Sequence, residues 1–376
     1  MPVGKFKNTA YGLALPFVGK KCEWKPGDAL EKLLYRHHTV GACVQRFEKG
    51  CLTECHAVGC ASLQGEKRKV TPETVFRTAS VAKMVTALLV FRLQTQGKLH
   101  VQEDISAFLG YTVRNPHCPE APITLGMLLS HTSGIVDSPA YFASFQQPVP
   151  LKTLLKDPSA FLPIVPGMAF RYSNLAAGMI GCLVESRFGM CFEDLAQKEL
   201  FEPLGVKATF DASKLDAAVT ADSFRVLPAA EAFSAQKRIQ AAVPLDKPDS
   251  DMHYLLASGN LFLTASDLAK LTLCAWNGAD GFLNEESVAM MQKPLLGWPQ
   301  PEVRMRHGMG LFELDDAKIA AKKLWGHQGF AYGAVNGVFF DADGNGFVCL
   351  NSGCSEKRLG HLACINRDLI RLLFKE

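Results

Sequence analysis

Between Phe76 and Lys98 the chain reads Phe-Arg-Thr-Ala-Ser-Val-Ala-Lys-Met-Val-Thr-Ala-Leu-Leu-Val-Phe-Arg-Leu-Gln-Thr-Gln-Gly-Lys, and this stretch restricts the possible folds more than any other. Apolar residues at Val81, Val85, Leu88, Leu89 and Leu93 recur at helical spacing, with Thr78 and Ser80 as starters and Gly97 as the stop. A long helix of this kind is expected to lie in the core. Ser80 falls in its first turn and Lys83 follows three residues later, so the two side chains share one face near the positive end of the helix dipole. A serine hydroxyl is a poor nucleophile until a base takes its proton. A lysine amine does so only when burial or another cation lowers its pKa.

The spacing alone says little. A Ser-x-x-Lys string is expected about once by chance in a chain of this length, and Ser234-Ala-Gln-Lys237 is a second copy. That copy lies in a stretch without helix-core periodicity, whereas Ser80 has a long helix behind it and two further motifs downstream in a workable order.

The length of 376 residues fits two domains or one large domain with an inserted part. The expected division is one catalytic domain in which residues 22–79 and 295–376 form a sheet-containing subdomain and residues 80–294 a mostly helical one. With 48% hydrophobic and 20% charged residues the chain matches an ordinary soluble globular protein, and no run approaches the ~18 apolar residues of a membrane span. A net charge of +3, from 40 basic and 37 acidic residues, gives no reason to expect nucleic acid. Lys67-Arg68-Lys69 reads as a solvated turn. The 12 cysteines are dispersed and mostly set in apolar strings such as Gly181-Cys182-Leu183 and Val348-Cys349-Leu350, as expected of buried thiols. Cys51, Cys55, His56 and Cys60 cluster, but without a Cys-x-x-Cys pair or a second ligand group, so no metal and no cofactor is expected. Thr9 to Gly19 superficially resembles a signal peptide. Pro16 interrupts it, and Lys20-Lys21 stand where a small-residue cleavage site belongs, which together with the cysteines points to the cytoplasm.

In chain order, Pro26 to Tyr35 reads as a helix with Asp28 as cap and Glu31 closing a capping box. Thr39 to Phe47 and Leu52 to Leu63 read as strands joined by a Glu48-Lys49-Gly50 turn. Thr124 to His131 reads as a short helix capped by Thr124. His131 invites a triad-base role, but no Gly-x-Ser-x-Gly elbow exists for it to serve. It reads instead as a helix-end histidine held by backbone and by Thr132 and Ser133. Phe170-Arg-Tyr-Ser-Asn174 precedes a helix from Leu175 to Phe188 whose small residues Ala176, Ala177, Gly178 and Gly181 permit close packing, placing Tyr172 and Asn174 on the turn before it. Phe210 to Tyr254 reads as loops. Helices follow at Ser266 to Cys274 and Asn284 to Lys293. Strands are expected at Met309 to Leu314, Lys323 to Gly326, Ala331 to Phe340 and Gly346 to Asn351, with a last helix from Glu356 to Phe374. Asp341 to Gly346 is similar to the start of a calcium loop, but Ser352 replaces the bidentate Glu and the segment reads as a hairpin turn. The expected class is α+β, one antiparallel sheet built from both termini with helices inserted between its strands.

With Ser80-Val-Ala-Lys83, Tyr172-Ser-Asn174 and His327-Gln-Gly329 in that order, the chain resembles the serine β-lactamase and penicillin-binding-protein superfamily, and within it the class C branch. Leu128-Leu-Ser-His-Thr-Ser-Gly134 and Thr264-Ala-Ser-Asp-Leu268 add to the likeness. The resemblance implies that Ser80 attacks an amide or ester carbonyl, with Lys83 and Tyr172 sharing the base work and the nearby cation lowering the phenol's pKa. It implies that Asn174 orients Lys83 and binds the acyl amide. It also implies that the amides of Ser80 and Phe330 form the oxyanion hole, and that Gly329 leaves room for substrate. At His327 the chain departs from the Lys-Thr-Gly of most β-lactamases of this branch and is more like the peptidase and esterase members. An unperturbed imidazole titrates near ~6.5, so carboxylate recognition through His327 would be strongest at mildly acidic pH. The expected function is a serine hydrolase acting on a small-molecule or short-peptide amide or ester, with no nucleic-acid or membrane partner and the oligomeric state left open. The alternatives are a β-lactamase or DD-carboxypeptidase and, in another class, an idle member with a structural or binding role.

Overall fold

The computed structural model of the chain describes Ala14 and residues 24–63, 67–298 and 301–374; the rest of the leader-like segment lies outside the described residues. Lys49 and Gly50 both take left-handed φ values, 50° and 77°, the backbone of a tight two-residue hairpin turn. They join β1 (Gly41–Glu48) to β2 (Cys51–Ser62), and β3 (Arg68–Lys69) pairs beyond β2. The C-terminal part supplies β4 (Leu296–Gly297), β5 (Met305–His307), β6 (Phe312–Leu314), β7 (Leu324–Ala331), β8 (Ala334–Phe340) and β9 (Gly346–Gly353). Together they form an antiparallel sheet in the order β3-β2-β1-β9-β8-β7-β6-β5-β4, so β9 closes against β1 and unites the two ends of the chain. The class is α+β, as expected.

Strand alternation divides the core into two layers. Ala42 and Val44 point to the face covered by α1 (Ala29–Arg36) and by the C-terminal helix, whereas Cys43 and Phe47 point to the face packed by the central helices. Asp28 caps α1 through a 2.8 Å bond from the Glu31 amide, and the Glu31 carboxylate reaches back to the Gly27 amide. The central layer holds α2 (Ala82–Thr95), α3 (Asn174–Phe188) and α4 (Ala265–Asn277). From Ala82 to Phe91 every residue of α2 is buried. A Cβ on Gly178 of α3 would overlap the Tyr254 carbonyl, so the small face read in the sequence lets residues 253–258 lie directly on this helix.

Several boundaries differ from expectation. The α-helix starts at Ala82, and Ser80 sits on a preceding 3₁₀ turn, Ala79–Val81, because Ala79 has φ 53° and breaks the helical run. The third-motif strand runs from Leu324 through Ala331, and the turn falls at Tyr332-Gly333, both with positive φ. The last helix, α5, covers only Cys364–Leu373, since Arg358–Leu359 and Leu362–Ala363 form a small hairpin around Gly360. The stretch expected to be loops contains the hairpin Ser223–Val226 and Ala229–Phe233 and a short helix, Ala235–Gln240. Lys67-Arg68-Lys69 is no free turn, since Arg68 donates to the carbonyls of Ala218 and Thr220, each at 2.8 Å. Asp341 accepts from Asp343 N, Asn345 N and Asn345 Nδ2, which makes the calcium-like segment the β8–β9 turn. Cys51, Cys55, His56 and Cys60 are strung along β2, with Cys55 Sγ 3.5 Å from Cys43 Sγ. Among the described residues no single helix is long and apolar enough to cross a membrane.

Candidate active site

The turn carrying Ser80 is held from three sides. Thr78 N donates to Leu261 O at 2.9 Å, and Asn336 Nδ2 from β8 donates to Arg77 O at 2.9 Å. On the third side β7 comes so close that a Cβ on Gly329 would lie 2.5 Å from Thr78 O and 2.9 Å from Ser80 N. Gly329 therefore makes room for the serine turn itself, which corrects the expectation that it makes room for substrate. The same close approach sets Phe330 beside Ser80 at the cleft.

Lys83 Nζ lies 3.2 Å from Ser80 Oγ, 2.9 Å from Asn174 Oδ1 and 2.6 Å from Ser258 O. Burial strips water from the amine and lowers its pKa to about 7; the Asp137 carboxylate opposes this and the Arg77 cation adds to it. The neutral amine has two N–H donors, which Asn174 Oδ1 and Ser258 O accept, leaving its lone pair toward Ser80 Oγ. This is the geometry of a general base.

Asn174 is fixed from behind by Asp137, the residue that sequence reasoning missed. The Asp137 carboxylate accepts from Asn174 Nδ2 at 2.8 Å, Ser173 Oγ at 2.9 Å and Leu175 N at 2.9 Å. With its amide nitrogen engaged there, Asn174 must present its oxygen to Lys83. A carboxylate three residues past the Leu128 to Gly134 string was the available signal, but nothing in the sequence ties it to a helix start 37 residues away.

The Tyr172 ring packs against His131, with centroids 4.3 Å apart, and Lys83 Nζ stands 5.1 Å from its centroid. Contrary to expectation, its hydroxyl is pushed up, not down. Burial outweighs the hydrogen bond to Ser80 that pulls the other way. His131 accepts from Ser173 N through Nδ1 at 3.3 Å and packs at a tilt against Tyr172, so it positions the Tyr172-Ser173-Asn174 turn and is not placed as a triad base. Burial lowers its pKa well below the ordinary value.

His327 differs from the sequence reading in its charge. Burial first, and then the nearby Lys83, lower its pKa to about 3, and its Nδ1 is 2.9 Å from the Gln328 carbonyl. A ring that is neutral across the ordinary pH range cannot read a carboxylate by titration near neutrality. The cation lining this part of the cleft is instead Arg358, whose guanidinium lies 3.6 Å from the Phe330 centroid.

Two cavities open on Ser80, Asn174 and Phe330. One, about 330 Å³, is lined by Tyr172, Trp298, His307 and Arg358; the other, about 550 Å³, by Arg77, Arg238, Phe142 and Tyr332 among others. Among the described residues no acidic side chain lines either of them.

Residues 27–353 match the family described as Beta-lactamase. The chain belongs to the Beta-lactamase family. It is 27% identical over 318 residues to penicillin-binding protein 4 of Amycolatopsis lactamdurans, a match covering 81% of this chain and 78% of that protein. Its fold is similar to the octameric penicillin-binding protein homologue from Pyrococcus abyssi, with a TM-score of 0.71 at 20% identity over 99% of this chain and 77% of the other. It is similar again to EstCE1, a hydrolase with promiscuous acyltransferase activity, with a TM-score of 0.72 at 20% identity over 97% and 99%.

Proposed function

We propose that this Beta-lactamase-family protein is a serine hydrolase that cleaves a small ester or amide through an acyl-Ser80 intermediate. The observation that carries the reading is the buried Lys83 amine, with its pKa lowered to about 7 and its Nζ 3.2 Å from Ser80 Oγ. Ser80 Oγ bonds to the carbonyl carbon while its proton passes to Lys83, and the oxyanion is met by the amides of Ser80 and Phe330. On collapse the bond to the leaving group breaks, and the proton returns through the Tyr172 hydroxyl to that group. A phenol that burial holds in its protonated form suits this donor role better than the lowered pKa expected from the sequence. Water then releases the acid and free Ser80.

The neutral His327 favours ester and amide turnover over β-lactam turnover, because it offers no fixed charge at that position. The protein of similar fold named as a hydrolase with acyltransferase activity is consistent with an acyl-enzyme. The dispersed cysteines support a cytoplasmic location as part of the same proposal. A fluorophosphonate probe should label Ser80, and one purified sample screened against p-nitrophenyl esters, D-aminoacyl amides and nitrocefin should turn over a member of the first two classes. No labelling and no turnover of any of them would favour the idle-member reading.

A further inference from the structure

Among the described residues, the larger cavity beside Ser80 is lined by three cations, Arg77, Arg225 and Arg238, and by no carboxylate. Arg77 is the telling one. It lies partly buried beside Tyr332, whose ring centroid is 5.0 Å away, and desolvation lowers its pKa only to about 10, so it remains charged. Nε and Nη2 share one neutral acceptor, Asn260 Oδ1, at 3.4 and 3.0 Å. Nη1 is buried with no hydrogen-bond partner among the described residues. A guanidinium with one arm buried and, among the described residues, neither a counter-ion nor a partner for that arm is costly unless a ligand completes it. Arg238, on the short helix Ala235–Gln240, makes no ion pair among the described residues, whereas Arg225 stands 3.9 Å from Glu356. Over the cavity stand the exposed aromatic rings of Phe142, Phe145 and Tyr332, apolar surface on the way to a charged end.

We infer that this cavity binds the acyl part of the substrate, and that this part ends in a carboxylate held by Arg77 and Arg238. The side of the reaction follows from the acyl-Ser80 reading, on which this inference rests. Tyr172, the proton donor to the leaving group, lines the other cavity, so the leaving group departs there and the acyl chain lies toward the arginines. A guanidinium fork is matched to a planar carboxylate. The substrate class is therefore a half-ester or half-amide of a short dicarboxylic acid.

The test is ligand binding to the full chain carrying Ser80→Ala, which prevents turnover. Calorimetry would compare anilides matched in length, butyryl against succinyl and hexanoyl against adipoyl. In at least one pair the acid should bind about tenfold tighter or more, the size expected of hydrogen bonds to a charged group. Adding Arg77→Met should erase most of that preference and adding Arg238→Ala part of it. Arg238→Ala decides the matter if the Arg77 variant does not fold, as judged by its melting transition. Equal affinity within both pairs, or a preference unchanged in Arg238→Ala and in any folded Arg77→Met, overturns the inference. Binding does not depend on chemistry. A wild-type protein that prefers the acids but hydrolyses neither their esters nor their amides would sink the hydrolase reading and leave the anion site standing. Turnover of neutral and anionic esters with equal affinity would do the reverse.

Discussion

Ser80-Val-Ala-Lys83 and Ser234-Ala-Gln-Lys237 are the same motif in two environments. At the first, the lysine is 4% exposed and its amine touches the serine oxygen, the Asn174 amide and a main-chain carbonyl. At the second, the Lys237 side chain is 75% exposed and lies 3.7 Å from Glu231, while Ser234 Oγ accepts from the Lys237 amide as an ordinary helix N-cap. Spacing brings serine and lysine within reach in both. Only desolvation, which lowers the first amine to about 7, turns one of them into a base.

The comparison breaks most sharply on deletion of the two hydroxyls. Ser80→Ala should reduce kcat/KM by more than about a thousandfold and abolish fluorophosphonate labelling, whereas Ser234→Ala should leave both intact. Labelling that survives in Ser80→Ala and disappears in Ser234→Ala would show the nucleophile to be misassigned.

A smaller effect is expected at the phenol, which the second site lacks. Tyr172→Phe should slow acylation and deacylation by about a hundredfold to ten-thousandfold with the melting temperature almost unmoved. An unchanged rate would reduce Tyr172 to a packing residue on His131.

The pH profile sharpens the contrast in charge. Lys83 works as a base only when neutral, so log kcat/KM for a neutral ester should climb with pH below about 7 and level off above it. Because the Asp137 carboxylate raises the Lys83 pKa, Asp137→Asn should move that limb to lower pH, with a reduced plateau as Asn174 loses its anchor. A limb unmoved in Asp137→Asn would detach it from Lys83. The smallest effect belongs to the cap: Ser234→Ala should lower stability by about 1 kcal/mol in chemical denaturation, and no loss would mean that this short helix needs no cap.

Local chemistry was legible in the sequence wherever neighbours along the chain decide it. The Asp28 cap of α1, the Lys49-Gly50 turn and the small face of α3 formed as read, since each depends on contacts within a few residues or on the absence of a side chain. Ser80, Lys83, Tyr172, Asn174, His327, Gly329 and Phe330, singled out by the order of their motifs along the chain, lie together at one cleft. Boundaries were less legible. A single positive φ at Ala79 moved the helix start past Ser80, and the hairpin Ser223–Val226 and Ala229–Phe233 is too short to show a period.

Residue order sets which groups are present and how the nearest ones are spaced. The tertiary structure decided their charge and their partners. Lys83 and His327 lose protons easily because distant segments wall them off from water; Ser258, which reaches Lys83 with its carbonyl, is 175 residues away along the chain. Arg77, desolvated in the same region though only partly buried, keeps its charge, because a guanidinium holds its proton far more tightly than an amine. Desolvation and long-range hydrogen bonds have no signature in residue order, and they make one of these cations a base and the other a fixed charge.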